Sequence, residues 1–317
     1  ADNVQISIEI DPNDLDDGRY DAMAQFGLTR ASIGVQDFDP RVQKAINRIQ
    51  SFEQTRAVVE AMRFRGVSSV NLDLLYGLPF QTQSGLERTV ELALGLDPDR
   101  VALFGYAHVP WMKPHQNMIP EEALPDKHQR FLQAQAAAGL LTAAGMEAIG
   151  FDHFAKPTDG LAQAARMGRL RRNFQGYTDD KADALIGLGA SSIGQLPQGY
   201  VQNITATGEY SKTVLDGNGA TTRGYALAPA DKLRALAISA LLCSFRLSDR
   251  DVSGFGAAGR ALMSEAEAIA LTDDDKLVEM RDGVFSITER GRPFVRTIAA
   301  RFDSYLGQGA ARHSSAV

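Results

Sequence analysis

Cysteine is almost missing from this sequence: Cys243 is the single one among 317 residues. A lone thiol excludes an internal disulfide framework and any metal site built from cysteines alone. It lies in the apolar, helix-like run 237–243, where a small buried hydrophobe is expected rather than a reactive thiol. Histidine is scarce too. The five, at 108, 115, 128, 153 and 313, include no i, i+4 pair to make a zinc-binding helix face. Positive charge is not in excess. A net charge of −6 and a pI near 5.5 argue against nucleic acid or an anionic membrane surface as partner. No apolar run approaches the roughly 20 residues of a membrane span, and no leader is visible, so a cytoplasmic protein is expected. The chain begins at Ala1 and enters an alternating strand within a few residues, which reads as a fragment opening in mid-domain.

What is present is ordinary globular composition, 44% hydrophobic and 23% charged, enough for one large domain or a large and a small one. Over residues 4–107 strand and helix patterns alternate. Strands are expected at 4–10, 30–35, 68–75 and 100–106, with helices at 18–26, 40–47, 52–65 and 82–95. That alternation indicates βαβ units and a parallel sheet, either doubly wound or a barrel. Polar residues recur where each strand ends: Glu9 and Asp11, Gln36 and Asp37, Asn71 and Asp73, then Tyr106 and His108. Such residues often only cap loops. Four strands ending alike favour the mouth of a (βα) barrel, where such folds place their chemistry. Four units cannot close a barrel, which again points to a fragment.

Beyond 111 the pattern changes. A long alanine-rich helix is expected at 121–144 and a short strand at 146–152. A glycine-bearing, loop-rich stretch covers 156–226, followed by a helix at 230–243. Arg281-Asp282-Gly283 between two apolar runs signals a hairpin, and a closing helix is expected at 289–305. The α/β chain thus divides into a partial barrel with its following helix (1–155), a connecting region over the active site (156–226) and a helical, winged-helix-like domain (227–306). A disordered tail (307–317) completes it. Glu279, Asp282 and Glu289 beside the wing arginines favour packing or a lid over DNA binding.

By chemistry alone, Glu9, Gln36, Arg48, Asn71 and Asp73 suit a polar metabolite with an amine, hydroxyls and a carboxylate. S-adenosylmethionine is one such ligand; a nucleotide sugar or an amino acid is another. Arg166, Arg169, Arg171 and Arg172 form a basic cluster that reads as a solvated helix face or as a site for a polycarboxylate.

Five runs carry a resemblance: Ser7-Ile8-Glu9-Ile10-Asp11-Pro12, Gly34-Val35-Gln36-Asp37-Phe38, Asn47-Arg48, Asp73-Leu74-Leu75-Tyr76-Gly77-Leu78-Pro79 and Tyr106-Ala107-His108-Val109-Pro110. In order and spacing they resemble the oxygen-independent coproporphyrinogen III oxidase branch of the radical S-adenosylmethionine enzymes. The likeness runs from Ser7 to about Tyr305. Arg172-Asn173-Phe174-Gln175-Gly176-Tyr177-Thr178 resembles the oxidases. A sister branch of haem-chaperone-like proteins has a His-Asn-x-x-Tyr-Trp pattern there, and Arg-x-His where this chain has Asn47-Arg48-Ile49-Gln50.

The resemblance implies oxidative decarboxylation of two propionates of coproporphyrinogen III to vinyl groups, giving protoporphyrinogen IX. It implies two S-adenosylmethionine molecules, one split to a 5′-deoxyadenosyl radical, held through Glu9, Gln36, Arg48, Asp73, Ala107 and Ile193. Gln175 and Arg172 are candidates near the substrate. A [4Fe–4S] cluster, a flavodoxin or ferredoxin as electron donor, and a monomer complete the implied set. No cluster ligand is expected in this chain. CxxxCxxC and a glycine-rich loop belong to two βα units expected upstream of Ala1. The alternative is a haem-chaperone-like relative or a cluster-free tetrapyrrole-binding protein.

Overall fold

The computed structural model describes residues 4–13 and 15–306, which fall into two compact units, one running to Leu170 and the other beginning at Arg171. The expected tail at 307–317 lies outside the described residues.

In the first unit the strand–helix alternation is as expected: β1 (Ser7–Ile10), α1 (Asp17–Gln25), β2 (Arg30–Gln36), α2 (Pro40–Ala45), α3 (Phe52–Phe64), β3 (Ser69–Tyr76), α4 (Gln83–Gly95) and β4 (Arg100–Gly105). Then come α5 (Lys127–Ala143), β5 (Glu147–Ile149), β6 (His153–Ala155) and α6 (Gly160–Arg166). Local chemistry sets the helix ends. Ser51 and Thr82 side chains accept the backbone N–H of Gln54 and Gly85 to start α3 and α4. Gly66, at φ +87°, ends α3 with Val67 N–H reaching back to Met62 O at 3.1 Å.

The long helix expected from 121 begins only at Lys127. Pro125 keeps Leu124 extended (φ −82°, ψ 138°), and Asp126 forms a capping box with Gln129. The single strand expected at 146–152 is a hairpin, because Gly150 turns at φ +60° and sends β6 back along β4. The six-stranded sheet therefore has the order β1-β2-β3-β4-β6-β5, with β1 to β4 parallel and the last two pairings antiparallel.

One sheet face is apolar. Ile10, Ile33, Val35, Leu72, Leu74, Val101 and Leu103 are buried against Val58 and Met62 of α3, Leu86 and Val90 of α4, and Leu141 of α5. This is the main core of the unit.

The second unit holds β7 (Arg171–Asn173), β8 (Gly176–Thr178), β9 (Ile193–Leu196), β10 (Gly199–Asn203), α7 (Thr207–Leu215), β11 (Thr221–Ala226) and α8 (Pro229–Ser244). It continues with β12 (Arg246–Ser248), α9 (Asp249–Val252), α10 (Gly256–Leu271), β13 (Val278–Arg281), β14 (Val284–Ile287) and α11 (Val295–Ala300). The stretch 156–226 holds more regular structure than expected between its loops. Besides α6 and α7 it carries the β7–β8 hairpin and a three-stranded antiparallel sheet, β11-β10-β9. Its strands are short and rich in Gly, Gln and Thr, which hid their alternation. The expected hairpin is β13–β14, joined by β12 into a second three-stranded sheet. The closing helix is shortened to α11, because Gly291 and Pro293 precede it. Gly291 is required there, since a Cβ would lie 2.0 Å from Leu277 O.

The N-terminal end of the polar sheet face is closed by an ion cluster. Arg100 Nε donates to both oxygens of Asp159 at 2.9 and 2.8 Å, and Arg30 Nη2 stands 4.0 Å away. Asp159 also caps α6 by accepting the Leu161 N–H at 2.8 Å. Its side chain is 6% exposed and that of Arg100 11%. Asp159→Ala strands a buried cation, so a stability loss of about 3 kcal/mol or more is expected in denaturant titrations. A loss below about 1 kcal/mol, the level of a surface pair, contradicts this.

Candidate active site

Strand alternation puts a second, polar face opposite the core. In register, Glu9 pairs with Ser32, Ser32 with Asn71, and Asn71 with Arg100. One step toward the strand ends, Gly34 pairs with Asp73, Asp73 with Ala102, and Ala102 with His153. A polar band therefore crosses five strands.

Its centre is a hydrogen-bonded cluster. Asp73 accepts from Ser32 Oγ at 3.0 Å and from Asn71 Nδ2 at 2.8 Å, and Asn71 Nδ2 also reaches Ser32 Oγ at 2.9 Å. Burial raises the Asp73 carboxyl above the ordinary range, and the Glu9 charge adds to this. The hydrogen bonds from Asn71 and Ser32, and His153, pull the other way. Asn71 Oδ1 is buried with no hydrogen-bond partner. Glu9 is exposed. His153 Nδ1 lies 2.6 Å from Asp152 Oδ1, and its ring meets the Phe104 edge at 5.6 Å.

At the strand ends, β2 stops at Gln36, which has φ +67°. A Cβ on Gly34 would stand 2.9 Å from Gln36 Nε2 and 3.0 Å from Arg48 Nη2, so glycine makes room for amide and guanidinium together. Arg48 donates to Gly34 O at 3.0 Å and to Gln50 Oε1 at 3.3 Å, and its Nη1 faces Asp11 at 3.3 Å. Behind it runs a buried relay. Gln43 Nε2 bonds Gln50 O and Asp37 O, while Asp37 accepts from Gln81, Thr89 and the Asp39 N–H. Burial raises the Asp37 carboxyl, and those three donors lower it. Asp37 is fully buried and fixes the turn that carries Gln36.

A family model for the radical SAM superfamily matches residues 1–93. The oxygen-independent coproporphyrinogen III oxidase of Paracoccus denitrificans is 49% identical across 100% of this chain, which covers 70% of that relative. The chain belongs to that oxidase family. The Bradyrhizobium diazoefficiens oxidase is 46% identical over 99% of the chain and 70% of its own length. The solved coproporphyrinogen III oxidase of Escherichia coli, described as a radical SAM enzyme, superposes with TM-score 0.89 at 36% identity, over 95% of this chain and 70% of that one. These relatives do not favour the haem-chaperone-like alternative.

Within this family member, Glu9, Asp73, Gln36 and Arg48 gather on the polar face and its upper edge. Ala107, exposed, follows β4, and its carbonyl accepts from Gln116 Nε2 at 3.1 Å. Ile193 and Gln175 belong to the second unit, where they share a cleft of about 460 Å³ with Phe174, Leu188 and Ser192. Arg172 does not join them there. It stacks on Tyr177 at 5.6 Å and lines a separate cleft of about 210 Å³. The four clustered arginines share no helix face: Arg166 is on α6 paired with Glu147, whereas Arg171 and Arg172 are on β7. Ser32 and His153 were not read from the sequence. The period-two step from Gly34 could have found Ser32; His153 needed the β6 reversal.

An S-adenosylmethionine fits this face by its polar groups: the acceptors of exposed Glu9 and unpaired Asn71 Oδ1, and the glycine-made space beside Gln36 and Arg48. A three-thiolate cluster does not fit, because the sequence has one cysteine. Cys243 is half-buried on α8, and burial pushes its thiol up, which suits packing. Among the described residues no three His, Cys, Asp or Glu side chains gather to hold a metal ion.

Asp73 is harder to ionise in the folded chain than in the unfolded one. Its neutral form therefore lends stability that is whole below the unfolded value, roughly 3.9, and is lost as pH rises through the higher folded value. Asp73→Asn removes that loss, so the variant gains stability relative to the unsubstituted chain between pH 4 and 7. Denaturant titrations showing a constant difference over that window contradict this.

Proposed function

We propose that this chain supplies the cofactor- and substrate-facing part of an oxygen-independent coproporphyrinogen III oxidase. The reaction converts two propionate side chains of coproporphyrinogen III to vinyl groups, each losing one hydrogen atom, CO2 and one electron, and yields protoporphyrinogen IX. The observation that carries this reading is the 49% identity to the Paracoccus oxidase, continuous along the chain.

Given one electron from a cluster whose ligands this chain does not carry, bound S-adenosylmethionine would supply removal of a hydrogen atom from a substrate carbon. The residues here bind and orient. Glu9 offers a free carboxylate to an ammonium or to ribose hydroxyls. Asp73, braced by Ser32 and Asn71, offers a fixed acceptor. Arg48 and Gln36 present a cation and an amide at the edge, aligned through Gln50, Gln43 and Asp37. The Ala107 backbone would add a contact on this unit; Ile193, as an apolar wall, is the family expectation only. Two cofactor molecules are the family expectation.

In the same reading β1 to β4 are the later strands of a radical-SAM barrel and 227–306 is winged-helix-like. The protein works as a cytoplasmic monomer fed by a flavodoxin or ferredoxin. Among the described residues no helix is long and apolar enough to cross a membrane.

Equilibrium dialysis with S-adenosylmethionine tests the cofactor face. Glu9→Gln and Gly34→Ala should each weaken binding about ten-fold, a loss of about 1.4 kcal/mol. Gly34→Ala displaces only the tips of Gln36 and Arg48, so its folding stability should stay within about 1 kcal/mol of the unsubstituted chain. Unchanged affinity in both variants contradicts the assignment. Anaerobic treatment of this polypeptide with iron and sulfide should leave no stoichiometric cluster. Cluster absorption at one per chain would overturn that expectation.

A further inference from the structure

The four residues after β4 combine a fixed backbone with unpaired side-chain tips. Tyr106 N–H extends the ladder by donating to Tyr76 O at 2.8 Å, and Tyr106 O accepts from Arg130 Nη2 at 2.9 Å. The buried Gln116 then clamps the next turn from both sides, bonding Ala107 O at 3.1 Å and Val109 N–H at 2.6 Å. Every one of these bonds serves the main chain.

The side chains are treated differently. Tyr106 Oη and His108 Nδ1 are both buried and neither has a hydrogen-bond partner. Their rings lie 6.1 Å apart, tilted by 45°, on either side of Ala107. Burying two polar atoms unpaired is costly, and two in adjacent rings on a clamped segment call for a ligand that satisfies both. Burial raises the Tyr106 phenol, so it stays protonated and presents a donor. An imidazole nitrogen can carry the second donor. Two neighbouring donors match an acceptor-only group with two oxygens.

We infer that Tyr106 and His108 bind one propionate carboxylate of the tetrapyrrole, holding the substrate at the end of β4; this rests on the coproporphyrinogen reading above. The pair recognises a carboxylate through a phenol and an imidazole rather than through an arginine fork. S-adenosylmethionine also has a carboxylate, so the test separates the two sources.

The probe is coproporphyrin III, the stable oxidised tetracarboxylate, followed by its fluorescence with the full chain. Tyr106→Phe and His108→Phe keep an aromatic ring and remove the polar tips. Each should weaken coproporphyrin III binding about ten-fold and leave S-adenosylmethionine affinity unchanged. Coproporphyrin III tetramethyl ester should bind all three proteins alike. Tyr106→Phe should also leave the melting temperature of the free protein equal or higher, because it deletes an unpaired buried hydroxyl. Equal coproporphyrin III affinity in both variants overturns the assignment alone. So does a loss confined to S-adenosylmethionine, which would give the pair to the cofactor. If the unsubstituted chain binds no coproporphyrin III, the substrate reading falls and this inference with it.

Discussion

Side-chain alternation along β1 to β4 is the constraint on which the first unit depends. Each strand must place one set of residues against α3, α4 and α5 and the other set on the opposite face. Ile33, Leu72 and Val101 fill the first role. Ser32, Asn71 and Asp73 fill the second, and they bond to one another across two strands. A shift of one residue in register would bury Asp73 against α4 and turn Leu72 outward. Core packing and site geometry are therefore one specification, and apolar packing on one face holds the polar band on the other in place.

That arrangement explains why a polar cluster survives in a partly buried place. Asp73 loses solvation, and Ser32 and Asn71 compensate only in part, which leaves its carboxyl raised and Asn71 Oδ1 unpaired. Sites that hold ligands commonly keep such unresolved demands. The Arg30–Asp159–Arg100 cluster closes the opposite end of the face with ion pairs, and there Arg100 Nη2 is also buried without a hydrogen-bond partner.

Much of this was readable in the residues. The βα alternation, the positions of Glu9, Gln36 and Asp73 at strand ends, and the oxidase likeness all came from short local runs of residues. What escaped was non-local. The β5–β6 reversal hangs on Gly150 in a segment that otherwise looks like one strand, and with it went His153. Helix α10 was missed although Leu262, Met263, Ala266 and Ile269 carry a helical spacing and are buried. The short strands β9 to β11 carry too few apolar residues to show a period. Arg172 and Gln175, three residues apart in sequence, line different clefts: Arg172 is on β7 and Gln175 is in the β7–β8 turn.

The central claim is that the polar face of the parallel strands is where S-adenosylmethionine binds. A crystal structure of this chain soaked with S-adenosylmethionine tests it most directly. The account predicts ligand density against Glu9, Ser32, Asn71 and Asp73, with Asn71 Oδ1 newly hydrogen-bonded. Density lodged instead in the cleft of the second unit between Arg260 and Met280, with the strand face bare, would contradict it.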